Sequence, residues 1–418
     1  MAQAPRAGVD DRAAGYRDVL SLGEFRAVLG ARLVSMAGDQ VARVALSLLV
    51  FDRTRSAALA AATFALSFLP ALAGPLLAGL ADRYPRRTVL VAADLLRAVL
   101  LGLMAVPGAP LPVLFALLVL AELIGAPANA AHGAVLADIL VGDRLVVGQG
   151  ARSIVDQLSQ IGGYAVGGVL TALLTAHGVL ALDAASFAVS ALVLRLALRR
   201  RPAPAGAADV PPSLLGSARR SARLVWSDRR LRVLLGLVWM IGLPVAAEGL
   251  AVPYAVGRYP GPSAAGWLLA ATPLGAVVGA VLLGRCRPSV RRRVMAPLAA
   301  LAGLPLLVVA ARPPLAVACL VFALSGAAAS YVTVAPALYV ARIPAAGRGQ
   351  AIGLMSSGAV AGQGVVTILA GLGADRIGAA DAVGLAGALT ATVGAALAIA
   401  WSRADAEPDV PVAGPWPG

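Results

Sequence analysis

The sequence predicts an all-α membrane protein in which twelve transmembrane helices form two six-helix halves. The first observation is a series of long apolar stretches, separated by short arginine-rich breaks, that fills nearly the whole chain. The second is composition, since 59% of the residues are hydrophobic and only 13% are charged, whereas a soluble domain carries about 25% charged residues. Because a membrane interior offers the backbone no water, each apolar stretch of about 20 residues must cross it as a helix.

Twelve apolar segments can be placed between residues 27 and 401, and we number them span 1 to span 12 in chain order. The first six are predicted at residues 27–50, 57–81, 88–107, 111–136, 147–175 and 178–198. The second six are predicted at residues 231–256, 263–284, 293–311, 314–340, 350–373 and 379–401.

The longest polar break divides these spans into two sets of six. It opens with RRRPAPAGAADVPP, which is typical of a flexible linker. It continues with a segment whose leucines and arginines occupy different helical faces, which indicates an amphipathic helix on the membrane surface. The predicted organisation is an N-terminal segment (1–26), a first half (27–198), this linker (199–230), a second half (231–401) and a C-terminal tail (402–418).

Arginine supplies every basic side chain, because all 35 basic residues are arginines and the chain contains no lysine. The predicted inner segments hold 25 of these arginines and the outer loops hold 5. The positive-inside rule then places both termini in the cytoplasm. The predicted location of this multi-pass protein is the cell membrane, for example a bacterial inner membrane. The absence of lysine excludes a Walker A phosphate loop and a Schiff-base lysine.

Several classes of function are disfavoured by the remaining composition. The net charge of +14 is explained by the loop arginines, so we expect no nucleic acid partner. Cys286 and Cys319 are too few for a metal site or a disulfide framework. Neither an HExxH motif nor a GxSxG nucleophile elbow occurs. We therefore expect no metal, no cofactor and no enzymatic activity.

The loop between spans 2 and 3 reads GLADRYPRR, from Gly79 to Arg87. This segment resembles the signature loop of the major facilitator superfamily, whose fold the chain is then expected to share. The resemblance implies a conformational latch in which an acid meets the neighbouring half, formed here by Asp82, Arg83, Arg86 and Arg87. The stretch GLGADRIG at 371–378 looks similar but lies on the predicted outer side, so we regard it as a coincidence.

Three further segments narrow the resemblance: GDQVARVAL in span 1, ADLLRA in span 3 and LDAASFAVSAL in span 6. Together they resemble the subgroup that contains the enterobactin exporter and the macrolide-efflux proteins. The chain departs from the family pattern in several places, and one of them is Gly79, which stands one residue closer to the aspartate than usual. Pro85 stands where the signature loop usually has glycine, and span 4 lacks the arginine of many proton-coupled drug exporters.

Charged residues inside the spans are functional candidates, because a charge in the membrane interior is costly. Glu122 and Glu248 have no partner within their own spans, and burial favours the neutral form of such a carboxyl group. They are candidate proton carriers, and the resemblance adds Asp39, because the subgroup carries an acid in its first helix that faces the central cavity. Helical spacing also predicts buried charge pairs, which would staple the structure: Asp39 with Arg43, Asp94 with Arg97, and Arg152 with Asp156.

Glycine seams and polar side chains complete the candidate site. Gly163 and Gly167 share one face of span 5, and Gly275 and Gly279 share one face of span 8. In the superfamily these two spans pack across the halves, so the seams are candidates for a gating interface. The candidates to line a substrate cavity are polar or aromatic residues in several spans: Gln40, Asn129, Gln160, Trp239, Tyr254, Tyr331 and Gln363.

These features favour a secondary active transporter that exports a bulky small molecule, such as an antibiotic, a siderophore or a secondary metabolite. The expected mechanism is alternating access driven by protons. The expected partners are the small-molecule substrate, protons and the lipid bilayer, and the resemblance implies a monomer. An uptake symporter of the same fold is the main alternative, and a non-transporting membrane scaffold is a more distant one.

Overall fold

The computed structural model describes residues 15–68, 84–201, 225–343 and 348–406, and these residues are predominantly helical. The first-half helices are α1 (Tyr16–Leu20), α2 (Gly23–Thr54), α3 (Ala57–Leu66), α4 (Arg86–Met104), α5 (Leu111–Ile139) and α6 (Asp143–Ala197). The second-half helices are α7 (Arg229–Trp239), α8 (Gly242–Arg258), α9 (Ser263–Arg285), α10 (Pro288–Leu301), α11 (Leu315–Ala329), α12 (Ala335–Ala341), α13 (Arg348–Ile377) and α14 (Ala379–Ala406).

The described helices after α1 overlap the predicted spans. Within the described residues, nine helical stretches are long and apolar enough to cross a membrane. One of them, α6, is 55 residues long and turns at Thr175, whose φ of 61° and ψ of 159° interrupt the helix between spans 5 and 6. Helix α3 is the described part of span 2, and α4 is the more charged span 3. The predicted fold class is confirmed, while the bounds of the two halves, 27–198 and 231–401, stay predictions.

Three of the predicted spans are not continuous α-helices. Span 7 consists of α7 and α8, and span 10 consists of α11, a 3₁₀ turn (Ser330–Thr333) and α12. Pro244 and Pro336 lie in the first turn of the helix after each break, where a missing N–H costs least. Span 9 changes from α10 to a 3₁₀ helix (Pro305–Ala311), and at this change Gly303 packs closely against the backbone of Gly387.

Small residues allow close packing inside each half. Gly163 and Gly167 of α6 pack against Ala37 and Val41 of α2. In the second half, Gly275 and Gly279 of α9 pack against the backbone of α11, at Ala323 and Ala327. The four glycines of the predicted seams therefore contact helices of their own halves. Their role in gating stays a prediction.

The two halves meet at one end of the bundle, which we call the upper end and define by the connections at residues 55–56, 105–110 and 259–262. The opposite, lower end contains the connections at 140–142 and 286–287. Near the upper end, Gly168 of α6 faces Gly266 of α9 so closely that a Cβ on Gly168 would lie 2.9 Å from the Gly266 Cα atom. A buried apolar cluster there includes residues of both halves, among them Phe64 and Leu250. The structure is thus closed at its upper end.

The packing of α9 gives a prediction about stability. In a Gly275→Ala variant the new Cβ would overlap the Ala323 carbonyl oxygen, so α11 must move. We expect the unfolding free energy to fall by about 1–3 kcal/mol, as overpacked cores generally show. The measurement is thermal unfolding of the purified protein in detergent, followed by intrinsic fluorescence.

Gly284 supplies the matched control, because it lies in the same helix with open space around its Cα atom. Gly284→Ala should be neutral, or stabilising by up to about 1 kcal/mol through helix propensity. Equal unfolding temperatures for the two variants would contradict the packing described for Gly275.

Candidate functional site

A cavity of about 430 Å³ lies within the first half, between α2, α4 and α5. This volume is typical of small-molecule sites, which measure about 300–1,000 Å³. Its wall combines apolar surface from Met36 and Phe187 with many polar side chains, and Val360 of α13 reaches it from the second half. The charged and polar lining residues are Arg32, Ser35, Asp39, Gln40, Arg43, Ser67, Asp94, Arg97, Glu122, Asn129 and His132.

Arg97 and Asp39 form an ion pair in the wall of this cavity. One guanidinium nitrogen of Arg97 donates to both carboxylate oxygens of Asp39, at 2.9 and 3.2 Å. The guanidinium group also lies over the ring of Phe187, 4.3 Å from its centroid, which adds a cation–π attraction. The pair links α2 to α4, so each charged side chain is compensated across a helix interface.

The structure pairs the charged residues differently from the spacing within single helices. Asp39 contacts Arg97 rather than Arg43, and Asp94 accepts a hydrogen bond at 2.6 Å from the hydroxyl of Ser190 in α6. The physical reason is that these side chains point into the bundle, where a neighbouring helix is as close as the next turn. Spacing of three or four residues indicates which side chains share a face, but it does not select partners from other helices.

Arg43 lies at the centre of a second group of polar side chains. Its guanidinium group is 3.8 Å from the Glu122 carboxylate and donates to the Gln40 side chain at 3.1 Å. Tyr164 of α6 is fully buried close to Arg43, and Gln160 lies near its hydroxyl group. Glu122 therefore has a cationic partner from another helix, which the sequence of span 4 alone could not indicate.

Glu248 brings the second half into this group. It lies on α8 within electrostatic range of Arg43 and Tyr164. The three candidate proton carriers therefore lie around the two arginines. Asp39 forms an ion pair with Arg97, and Glu122 forms one with Arg43. Glu248 interacts electrostatically with Arg43 across the interface between the halves.

Asp183 is a member of the cluster that the sequence reasoning missed. Its position near the end of span 6 indicates a side chain close to water, but it is only 1% exposed. Its carboxylate accepts a hydrogen bond from Ser186 at 3.0 Å, and it lies against Gly38, where a Cβ would overlap one of its oxygens. The sequence contained one signal for this contact, namely Gly38 of the GDQVARVAL segment, because such a close approach between helices requires a residue without a side chain.

A separate ion-pair network lies towards the lower end. Arg32 donates to both oxygens of Asp156 at 2.5 and 3.0 Å, and Arg152 approaches the same carboxylate at 3.9 Å. Arg32 also donates to the Asn129 side chain at 3.4 Å. The predicted proximity of Arg152 and Asp156 is present, but the shorter contact comes from Arg32, which sequence reasoning had not placed in the site.

The remaining cavity candidates have other surroundings. Trp239 donates to the backbone of Met355 at 3.1 Å, and Gln363 donates to Ala359 within its own helix at 3.2 Å. Tyr254 is buried near the upper end and hydrogen-bonds to Tyr259 at 3.0 Å. Tyr331 is completely buried in the apolar core of the second half. Of the predicted set, Gln40 and Asn129 line the cavity within the described residues.

The predicted latch is only partly described. Asp82 and Arg83 lie outside the described residues. Arg86 forms an ion pair with Asp138 and donates to the Ala134 carbonyl at 3.2 Å, and Arg87 donates to the carbonyl of Arg195. These contacts hold the lower ends of α4, α5 and α6 together within the first half.

A bundle of membrane-spanning helices in two halves, with a cavity and buried charges near its middle, is the architecture of a secondary transporter. The profile of the Major Facilitator Superfamily matches residues 28–256, more than half of the chain. The chain belongs to this superfamily and is a multi-pass membrane transporter.

Two relatives carry the same description, multidrug efflux pump Tap. The proteins of Mycobacterium tuberculosis (strain ATCC 25618 / H37Rv) and Mycobacterium bovis (strain BCG / Pasteur 1173P2) are each 31% identical over 378 residues. Each match covers 84% of this chain and 87% of the relative.

Solved structures agree on the fold. The peptide transporter POT in complex with sulfate superposes with a TM-score of 0.72 at 14% identity, covering 94% of this chain and 96% of that one. A bacterial homolog of the human lysosomal transporter Spinster, inward-facing and occupied, gives a TM-score of 0.67 at 15% identity and covers 91% and 96%. At these identities the likeness shows the fold alone.

The Arg32–Asp156 pair gives a second prediction about stability. The two side chains are 8% and 28% exposed, so Asp156→Asn leaves a poorly solvated arginine without its carboxylate. Removing one partner of such a pair costs about 3–5 kcal/mol, and we expect a clear drop in the unfolding temperature in detergent.

Asp52→Asn is the control for this experiment. The Asp52–Arg55 pair spans 3.9 Å, and its side chains are 62% and 71% exposed, so its loss should change stability by less than about 1 kcal/mol. A similar unfolding temperature for both variants would show that the network around Arg32 adds no stability.

Proposed function

We propose that this transporter exports a bulky, partly hydrophobic small molecule in exchange for protons, by alternating access. The observation that carries the proposal is the excess of acids in the buried charge cluster. Five carboxyl groups (Asp39, Asp94, Glu122, Asp183 and Glu248) surround two arginines, Arg43 and Arg97. Such an excess of negative charge is costly in a medium of low dielectric constant, so some of these groups must bind protons.

Glu248 can couple protonation to movement because it comes from the second half. When Glu248 is ionised, it attracts Arg43 across the interface and favours the arrangement in which the halves approach each other. When it takes up a proton, this attraction is lost, and Arg43 retains Glu122 as its partner within the first half. Proton binding thereby changes the relative stability of two conformations, which is the requirement for coupling.

The cavity indicates the class of substrate. Apolar surface from Met36, Phe68 and Phe187 lies beside the amide groups of Gln40 and Asn129 and the two arginines. This mixture suits an amphiphilic organic molecule, such as an antibiotic, a siderophore or a secondary metabolite. The description of the mycobacterial relatives as multidrug efflux pumps supports both the breadth of this class and the outward direction.

The proposal includes an orientation. The lower end would face the cytoplasm, as the arginine distribution predicts, and both termini would lie there. The described conformation, closed at the upper end, would then be the one that admits substrate from the cytoplasm. We further propose that the protein works as a monomer in the lipid bilayer.

The proposal predicts the transport properties of three variants. We expect Glu122→Gln and Glu248→Gln each to lower proton-driven ethidium uptake into inverted membrane vesicles by roughly tenfold, the effect of a barrier raised by about 1.4 kcal/mol. Asp39→Asn should lower uptake by a similar factor, because it removes a candidate proton carrier and leaves Arg97 without its carboxylate partner. Fluorescence of ethidium is followed while respiration acidifies the vesicle interior, and a protonophore should abolish the signal.

Asp381→Asn is the matched control, since Asp381 lies at the upper end, is 44% exposed and pairs with Arg312 at 3.6 Å. It should transport at the rate of the unchanged protein. The triple variant Asp39→Asn, Glu122→Gln, Glu248→Gln would refute the coupling mechanism if it still responded to the pH gradient. Protonophore-sensitive accumulation in intact cells, tested with a panel of antibiotics and siderophores, would instead indicate an uptake symporter.

A further inference from the structure

Asp375, near the end of α13, contacts the other half of the molecule. Its carboxylate accepts hydrogen bonds from the Ser56 hydroxyl at 2.8 Å and from the backbone N–H of Ala57 at 2.6 Å. The N–H of Ala58 lies 3.4 Å from the same carboxylate. The acceptor belongs to the second half, and all three donors belong to the first turn of α3 or the residue before it.

The chemistry of these donors makes the contact stabilising. The first N–H groups of a helix have no partner within the helix, and they form the positive end of its dipole. Ser56 accepts from the N–H of Leu59 at 3.2 Å, which leaves the N–H groups of Ala57 and Ala58 for Asp375. Among the ion pairs of the described residues none includes Asp375, so its carboxylate is directed to the helix end rather than to an arginine.

A second contact lies one helical turn away on the same side of α13. A Cβ on Gly371 would be 2.7 Å from the Ala58 Cα atom, so the two backbones touch there without intervening side chains. Arg376, which follows Asp375, is turned back to the carbonyl of Leu372 in its own helix at 3.4 Å and does not compete for the carboxylate. Asp375 and Gly371 together dock α13 on the start of α3.

From these contacts we infer that Asp375 is an interdomain latch that holds the upper end of the transporter closed. In any alternating-access cycle the upper end must open, and α13 must then leave α3. Opening exposes the N–H groups of Ala57 and Ala58, and water replaces a charged acceptor. Asp375 thus contributes to the free-energy difference between upper-closed and upper-open states. The inference rests on alternating access, but not on the direction of transport or on proton coupling.

The test measures the opening of the upper end directly. In a background of Cys286→Ser and Cys319→Ser, spin labels are attached to Val106→Cys and Ala316→Cys, exposed positions near the upper ends of the two halves. Distances between the labels are measured by pulsed electron paramagnetic resonance in lipid nanodiscs, without substrate and without a pH gradient.

We expect Asp375→Ala to raise the population of long distances about fivefold, a typical effect of losing a helix N-cap. Asp375→Asn should give a smaller rise, because an amide oxygen still accepts a backbone N–H bond. Asp381→Asn removes an acid at the same end of the molecule. Because Asp381 pairs with Arg312 of its own half, this variant should leave the distances unchanged.

An unchanged distance distribution in Asp375→Ala would overturn the inference. If that variant cannot be purified, Ser56→Ala removes one of the three contacts, and it should shift the distances in the same direction by a smaller amount. No shift in folded Ser56→Ala would then overturn it. Because the readout involves neither protons nor substrate, failure here is distinct from failure of the proposed proton-driven export.

Discussion

The cost of a charge in the membrane interior determines how the first half of this transporter is built. An arginine in that medium requires a carboxylate or a polar group beside it. Arg97 of α4 pairs with Asp39 of α2, and Arg43 of α2 pairs with Glu122 of α5. Each pair therefore links two helices, and α2, which contributes to both pairs, is connected in this way to α4 and to α5.

Close packing of small residues is the second determinant, and it works together with the first. Gly163 and Gly167 bring α6 against α2. At this short distance the side chains of Tyr164 and Arg43 can interact. Because lipid and apolar side chains are equally hydrophobic, helix association in a membrane depends on such packing and on polar contacts rather than on apolar burial.

The sequence was sufficient for the fold class because hydropathy and arginine distribution are properties of whole segments. The same properties identified nearly every charged residue of the cluster, since a charge inside an apolar span is easily recognised. Partner choice was beyond the sequence: Asp39 and Arg43 share a helical face, yet Asp39 pairs with Arg97 of α4. The GLGADRIG stretch shows a related difficulty, because only its position beside α3 gives Asp375 a partner.

The division of charge between the two halves has a consequence for the choice of substrate. Apart from Glu248, the acids and arginines of the buried cluster belong to helices that precede the linker. The second half reaches the cavity wall through an apolar side chain, Val360. Substitutions on that side can alter the shape of the cavity without disturbing the charge pairs. Under the proposed cycle, a substitution at Val360 can therefore change which substrates fit the cavity, while Glu248 and the charged residues of the first half continue to couple transport to protons.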